Sequence, residues 1–281
     1  MINFWKGLHQ AVFLLAPMED VTDTTFREVV LSLSEPDCLH VIFTEFTSTD
    51  GLCHEKGRPN VISRLKVNES ERRLLKEKNV KLVAQIWGSK PENHYRSAKI
   101  ISEMGFDGID VNMGCPIKKI VKQGGCSALI GEPELAGEII QASMEGSELP
   151  VSVKTRIGIN KIITDEWVSH LLKFDLPALT VHGRTQKMQS DGLADWNEIE
   201  KAARLRDEME KDTLIFGNGD VMSLEEGMEK IKRHQLDGVM IGRGIFRSPW
   251  FFSTQNNNPS IKERLDVLCK HARLFHKTWD K

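Results

Sequence analysis

Eight short apolar runs recur along the chain, each separated from the next by enough residues to hold a helix. They cover residues 12–16, 41–44, 82–86, 108–112, 151–155, 178–182, 214–218 and 238–241. Each is nearly all apolar and rich in β-branched side chains, as strands are when both of their faces are covered. Amphipathic stretches at 22–34, 91–104, 133–145, 195–211 and 223–233 lie between them. Pro91 and Pro133 stand at first helical positions, Gly105 and Gly146 follow last ones, and Ser223 is placed as an N-cap. Eight such units with no reversal of order predict an α/β fold, a closed (β/α)8 TIM barrel. An open doubly wound sheet is the alternative.

The 281 residues suit one such barrel with a short addition. The charged stretch 57–79 reads as an irregular excursion between the second and third strands, with no function of its own. Residues 255–259 read as a linker, and 261–279 as one amphipathic helix with Leu265, Leu268, Ala272 and Phe275 on its apolar face. The expected organisation is a barrel domain over 1–252 and a short C-terminal helical segment over 253–281.

No apolar run approaches the roughly 20 residues that span a bilayer, and the N-terminus lacks the pattern of a secretion signal. A cytoplasmic location with no membrane partner is expected, with a monomer as the default. The five cysteines are scattered and none forms a C-x-x-C pair, so reduced thiols and no metal site are expected. A net charge of −2 does not by itself announce a nucleic-acid binder.

Barrels of this kind build their active sites at the C-terminal ends of the strands. Those ends read Ala16-Pro17-Met18, Thr44-Glu45, Gln85, Asn112-Met113-Gly114-Cys115-Pro116, Lys154-Thr155-Arg156, His182-Gly183-Arg184, Asn218-Gly219-Asp220 and Gly242-Arg243-Gly244. Polar groups at every end point to a functional mouth. The glycines of the last two ends could simply make tight turns; together, after the seventh and eighth strands, they point to a phosphate site, with Arg243 adding charge. Lys154 and His182 could stabilise negative charge on a bound ring, or be a surface lysine and a structural histidine. Cys115, between Gly114 and Pro116, could be a nucleophile, a metal ligand or a proton donor. No second cysteine is spaced as its partner, which ranks proton donation first.

This set of motifs, with Val153 before Lys154 and Val181-His182-Gly183-Arg184-Thr185 after the sixth strand, resembles the tRNA-dihydrouridine synthase family over about 13–252. The resemblance implies FMN across the barrel mouth and NADPH, or NADH, as its reductant. It places Ala16, Pro17, Met18 and Gln85 against the ring, and Lys154 and His182 at its polar edge or ribityl chain. Asn218, Gly219, Asp220, Gly242 and Arg243 would hold the ribityl chain and phosphate. A flipped tRNA uridine would take hydride at C6 and a proton from Cys115 at C5. Asn112 would orient the base, and Arg156 and Arg184 would help bind the tRNA.

Lysines and arginines near the mouth fit a phosphate backbone: Lys118, Lys119, Lys122, Arg156, Lys161, Arg184, Lys187 and Arg247 in the loops, and Lys262, Arg264, Lys270, Arg273 and Lys277 in the last helix. Ordinary solvated surface is the plain alternative. Asp20 departs from the family, which usually has glycine there. The family also carries a C-terminal helical domain that grips tRNA, of which only the first helix is expected here. Two other readings compete: a small-molecule FMN-dependent dihydropyrimidine or dihydroorotate dehydrogenase, and an RNA-binding protein without chemistry.

Overall fold

The computed structural model describes residues 3–8, 11–255 and 258–280. Eight parallel strands form a ring: β1 (Val12–Leu15), β2 (Val41–Phe43), β3 (Lys81–Trp87), β4 (Gly108–Met113), β5 (Val151–Arg156), β6 (Ala178–His182), β7 (Leu214–Asn218) and β8 (Gly238–Ile241). Consecutive strands pair, and β1 pairs with β8 to close the sheet on itself. The eight expected runs are these eight strands, and the open-sheet alternative is set aside. A two-residue strand, Thr47–Ser48, was not anticipated; it continues the ladder beside the end of β3.

Not all joints of the ring are equal. Five residue pairs join β4 to β5, and five join β6 to β7. Only Leu14↔Val41 and Leu15↔Ile42 join β1 to β2. Below them the Phe13 N–H donates to the His40 Nδ1 (3.1 Å), while the His40 N–H donates to the Phe13 carbonyl (2.9 Å).

The helices of eight residues or more are α1 (Thr24–Leu33), α2 (Glu69–Lys78), α3 (Pro91–Ser102), α4 (Pro133–Glu145), α5 (Thr164–Leu171), α6 (Trp196–Glu208), α7 (Leu224–Arg233) and α8 (Ile261–Trp279). Asp23, Asp195, Ser223 and Ser260 cap α1, α6, α7 and α8 through their side chains. Strand residues alternate between two cores. Ile109, Val111, Val153, Leu179 and Ile215 pack outward under the helices. Leu14, Val41, Phe43, Val83, Ala178, Phe216 and Met240 fill the barrel itself, with Trp5 plugging its N-terminal end at 5.5 Å from the Phe216 ring.

Two expectations need correction, and one helix went unmarked. The stretch 57–79 is not irregular: it holds Arg58–Val61, the 3-10 turn Ile62–Leu65 and α2. Its few apolar residues hid this, because an ion pair fastens it. Arg27 of α1 and Glu71 of α2 are both fully buried and joined at 2.6 Å. Helix α5, preceded by Ile163, was not singled out at all. The apolar face expected for α8 points away from the barrel, with Leu265 54% and Leu268 61% exposed. Polar bonds decide the docking instead: Trp279 Nε1 donates to Asp23 Oδ2 (2.8 Å), His271 Nε2 lies 3.2 Å from Thr25 Oγ1, and Lys66 Nζ donates to the Thr278 carbonyl (2.9 Å). The linker start is pinned as well, since the Glu35 carboxylate accepts from Ser253, Thr254 and Gln255, which hold its pKa down at about 2.

Candidate active site

The inward parity of the strands that fills the barrel also aims the polar residues at its mouth. Gln85, His182 and Asn218 lie two or four positions along from the interior residues Val83, Ala178 and Phe216, while Asp110, Asn112, Lys154 and Arg156 have the parity opposite to the outward-packed Ile109, Val111 and Val153. Register puts Asn112 beside Lys154, Arg156 beside His182, and His182 beside Asn218.

An open cleft lies there, walled by residues at and just after the ends of β1, β5, β6, β7 and β8. Ten of the eleven residues expected at a cofactor line it: Ala16, Pro17, Met18, Lys154, His182, Asn218, Gly219, Asp220, Gly242 and Arg243. Arg156 and Arg184 line it too. Gln85, fully buried, does not; it lies within the barrel and meets Asp110 and Asn112. Gly244, together with Ser190, Val221, Met222 and Met240, which the strand-end motifs do not single out, completes the wall.

The cleft is cationic. Lys154 Nζ donates to Asn218 Oδ1 (3.0 Å), and Asn218 Nδ2 in turn donates to the Met240 carbonyl (2.8 Å). Burial, aided by the nearby Arg156, pushes the Lys154 pKa down to about 8. Burial first, and then the charges of Lys154, Arg156, Arg184 and Arg243, hold His182 well below its usual value, so its ring is neutral. Arg184 NH1 lies 3.1 Å from His182 Nε2. A guanidinium only donates, so Nε2 is the acceptor and Nδ1 carries the proton.

The two arginines expected at the substrate are braces in this geometry. Arg156 donates to the carbonyls of Gly114 (2.6 Å), Thr185 (3.1 Å) and Gln189 (2.8 Å). Arg184, 1% exposed, holds the Gly192 carbonyl and both oxygens of Asp220. They were expected from their positions at strand ends, where exposure cannot be read. Asp220 also accepts from the Ala194 N–H (2.8 Å). Burial alone would raise its pKa, but the bonds from Arg184 and Ala194 outweigh it and lower the value.

Glycine is required at the floor. Gly219 has φ of +128°, and a Cβ there would come 2.5 Å from that of Ala194. At Gly242 an added Cβ would reach out toward Ala16 at 3.9 Å, into the space of the cleft. Cations, a neutral imidazole and a glycine-lined floor suit a planar, electron-accepting ring with an anionic tail.

Cys115 sits on the loop after β4, half-buried, and Arg156 links that loop to the cleft wall. Asn112 Oδ1 accepts from the N–H groups of both Gly114 and Cys115, each at 3.0 Å. The Cys115 carbonyl accepts from Ser127 Oγ at 2.7 Å. The expectation of no partner cysteine is corrected. Cys126, fully buried and at φ of +54°, packs with Phe46 and Ile120 against Cys115. A thiol–thiol hydrogen bond from Cys126 is the main cause that lowers the Cys115 pKa to about 7. The Ile117 N–H and Arg156 add to it, against burial and Glu19. Ten intervening residues with no ligand-like spacing concealed this pair.

Asp20 stands in a conformation that favours glycine. Its φ of +57° lies in the left-handed region, its N–H donates to Glu45 Oε1 (2.8 Å), and its 88% exposed side chain points into solvent. Glu19 pairs with Arg64, so the excursion before α2 reaches the mouth. Lys118, Lys119, Lys122, Lys161, Lys187 and Arg247 are exposed around it, whereas Arg156 and Arg184 are not part of that surface. Among the described residues, no cluster of His, Cys, Asp and Glu could hold a metal, and no helix is long and apolar enough to cross a membrane.

Comparison with solved structures supports the fold. Orotidine 5'-phosphate decarboxylase from Pyrococcus horikoshii OT3 superposes with a TM-score of 0.52 over 94% of this chain and 99% of its own, at 14% identity. A variant of NCR from Zymomonas mobilis also gives 0.52, over 91% of this chain and 89% of its own, at 13% identity. Sequence likeness is far closer elsewhere. The probable tRNA-dihydrouridine synthase of Staphylococcus aureus (strain MRSA252) is 44% identical over 98% of this chain and 80% of its own length. The probable tRNA-dihydrouridine synthase 2 of Bacillus subtilis (strain 168) is 43% identical over 97% and 80%. With the pattern described as Dihydrouridine synthase (Dus) matching residues 14–281, the chain belongs to the dihydrouridine synthase family.

Proposed function

We propose that this protein is a tRNA-dihydrouridine synthase that reduces the C5–C6 bond of uridine, with Cys115 as proton donor. The observation that carries the reading is a thiol fixed on the β4 loop, which Arg156 ties to the wall of a cationic, glycine-floored cleft. The small-molecule dehydrogenase reading is not favoured by the relatives found.

FMN, when bound in the cleft, supplies hydride chemistry, with NADPH or NADH as its reductant. Ala16, Pro17 and Met18 would flank its ring, and Lys154 would set a cation against its polar edge. Asn218, Gly219, Gly242 and Arg243 would take its tail. Asp220 would act from behind by holding Arg184. His182, neutral, offers a donor at Nδ1.

Hydride added at C6 of the uracil leaves negative charge delocalised from C5 to the O4 carbonyl. Cys115 S–H delivers the proton at C5, so one hydride and one proton saturate the bond. Asn112 would orient the base, while Arg156 and Arg184 keep the loops in place and add positive potential. The exposed lysines of the β4, β5 and β6 loops would meet the tRNA backbone. The barrel over 1–252 would be the catalytic unit, and 253–281 the start of a helical tRNA-binding part. The proposed location is the cytoplasm, and the proposed state a monomer without metal.

The test uses protein reconstituted with FMN and NADPH, supplied with unmodified tRNA. Mass mapping should find dihydrouridine, and Cys115→Ala should slow its formation about a hundredfold or more. Full activity of that variant would remove Cys115 from the mechanism. Failure to bind FMN would remove the flavin reading.

A further inference from the structure

We infer that Asp110, buried in the barrel below the cleft, is a positioning residue that fixes the polarity of Gln85 and Asn112 and so the shape of the loop carrying Cys115. The inference rests on the role proposed for Cys115. Asp110 lies in mid-β4, is 1% exposed and does not line the cleft. Nothing in the proposed chemistry requires a carboxylate there, and burying one is costly unless it is bonded.

The bonds run in a single direction. Ser152 Oγ donates to Asp110 Oδ1 (2.6 Å), and Gln85 Nε2 donates to Asp110 Oδ2 (2.7 Å). That leaves Gln85 Oε1 to accept from Asn112 Nδ2 (2.9 Å). Asn112 Oδ1 is then turned to the Gly114 and Cys115 N–H groups. Each amide could in principle sit either way round, since its oxygen and nitrogen are nearly the same size. An ionised carboxylate can only accept. It therefore selects one orientation of Gln85, which selects one orientation of Asn112, which provides the acceptor the Cys115 loop needs.

Ser152 and Gln85 bond the carboxylate, and Lys154 is the charge that faces it. Burial raises the Asp110 pKa to about 6, so the carboxylate is ionised at neutral pH. With the polarity lost, Asn112 could present N–H to N–H at the loop. The thiol would then move from its bonds with Cys126 and the Ile117 N–H.

The test reads the thiol, not turnover. Alkylation of Cys115 by iodoacetamide, resolved by peptide mass spectrometry, is followed against pH in the intact apo-protein. Asp110→Leu removes the acceptor and should raise the Cys115 midpoint by about one unit, so that alkylation below it is about tenfold slower. Asp110→Asn keeps an oxygen that can accept from Gln85 and should restore most of the shift. Gln85→Met breaks the relay while leaving the Asp110 carboxylate its bond from Ser152, and should raise the midpoint as Asp110→Leu does. It serves as the deciding variant if Asp110→Leu does not fold. A folded Asp110→Leu or, failing that, Gln85→Met protein with an unchanged midpoint overturns the inference. The proton-donor reading would be untouched by that result, because it stands on the tRNA activity of Cys115→Ala.

Discussion

A proton donor must hold its proton at the pH where it works, and Cys115 is close to losing it. An ordinary thiol titrates near 8.5, yet the bond from Cys126 draws this one to about 7. The donating form is the protonated one, so the rate of uridine reduction should fall tenfold per pH unit above about 7. Cys126→Ala removes the largest cause of that low value, so the falling limb should move to higher pH. Single-turnover rates on tRNA across pH would show this, and an identical limb in both proteins would dismiss Cys126 as its cause. Placement at the cleft was legible in the sequence where the motif itself sets a group at a strand end, as with Lys154, His182 and the glycines. For Arg156 and Arg184 the strand-end positions foretold the cleft wall but not the backbone carbonyls that their guanidinium groups also meet. Cys126 and Asp110 escaped notice because their meaning lies in contacts across turns and strands.

Among the elements, the α1–α2 joint depends most on a single contact. Arg27 Nε and NH2 meet both oxygens of Glu71 (2.6 and 2.9 Å), NH1 donates to the Thr22 carbonyl (2.6 Å), and NH2 to that of Lys66 (2.9 Å). Thr24 Oγ1 also donates to Glu71. Glu71→Ala would leave the guanidinium buried without its carboxylate, at a cost of about 3–5 kcal/mol. Replacing both partners by Met and Leu should recover most of the loss, because no buried charge then remains. Urea unfolding of the three proteins would measure it; a double variant no more stable than the single one would show that the pair is worth more than its desolvation. This joint is also what the sequence hid. A helix anchored by charge carries little apolar periodicity, so α2 looked irregular. The same reason turned α8, which docks by Trp279, His271 and Thr278, so that its apolar face lies outward.

For the molecule as a whole, the barrel was legible because closure demands strands covered on both faces, and such strands have one plain signature. Strand parity then carries the mouth residues to one place. What the pattern of runs does not reveal is how firmly each stave is held to the next, and here the difference between joints has a consequence. Where β1 meets β2, an imidazole stands in for a missing rung, since the Phe13 N–H needs the bare nitrogen of His40. Burial already holds the His40 pKa below its usual 6.5. The linked stability is fully present above that unfolded value and is lost as pH falls through the lower, folded one. Mild acid should therefore unfasten the cask at this joint first. Corrected amide exchange of Phe13 and Ile42 should quicken between about pH 7 and pH 5, across the free histidine value, while that of Leu179 and Val181 in β6 holds steady. Equal acceleration in both pairs would mean that the ring has no preferred place to open. The loop that follows β1 begins at Ala16, so acid would loosen the mouth from below while leaving its charged groups intact.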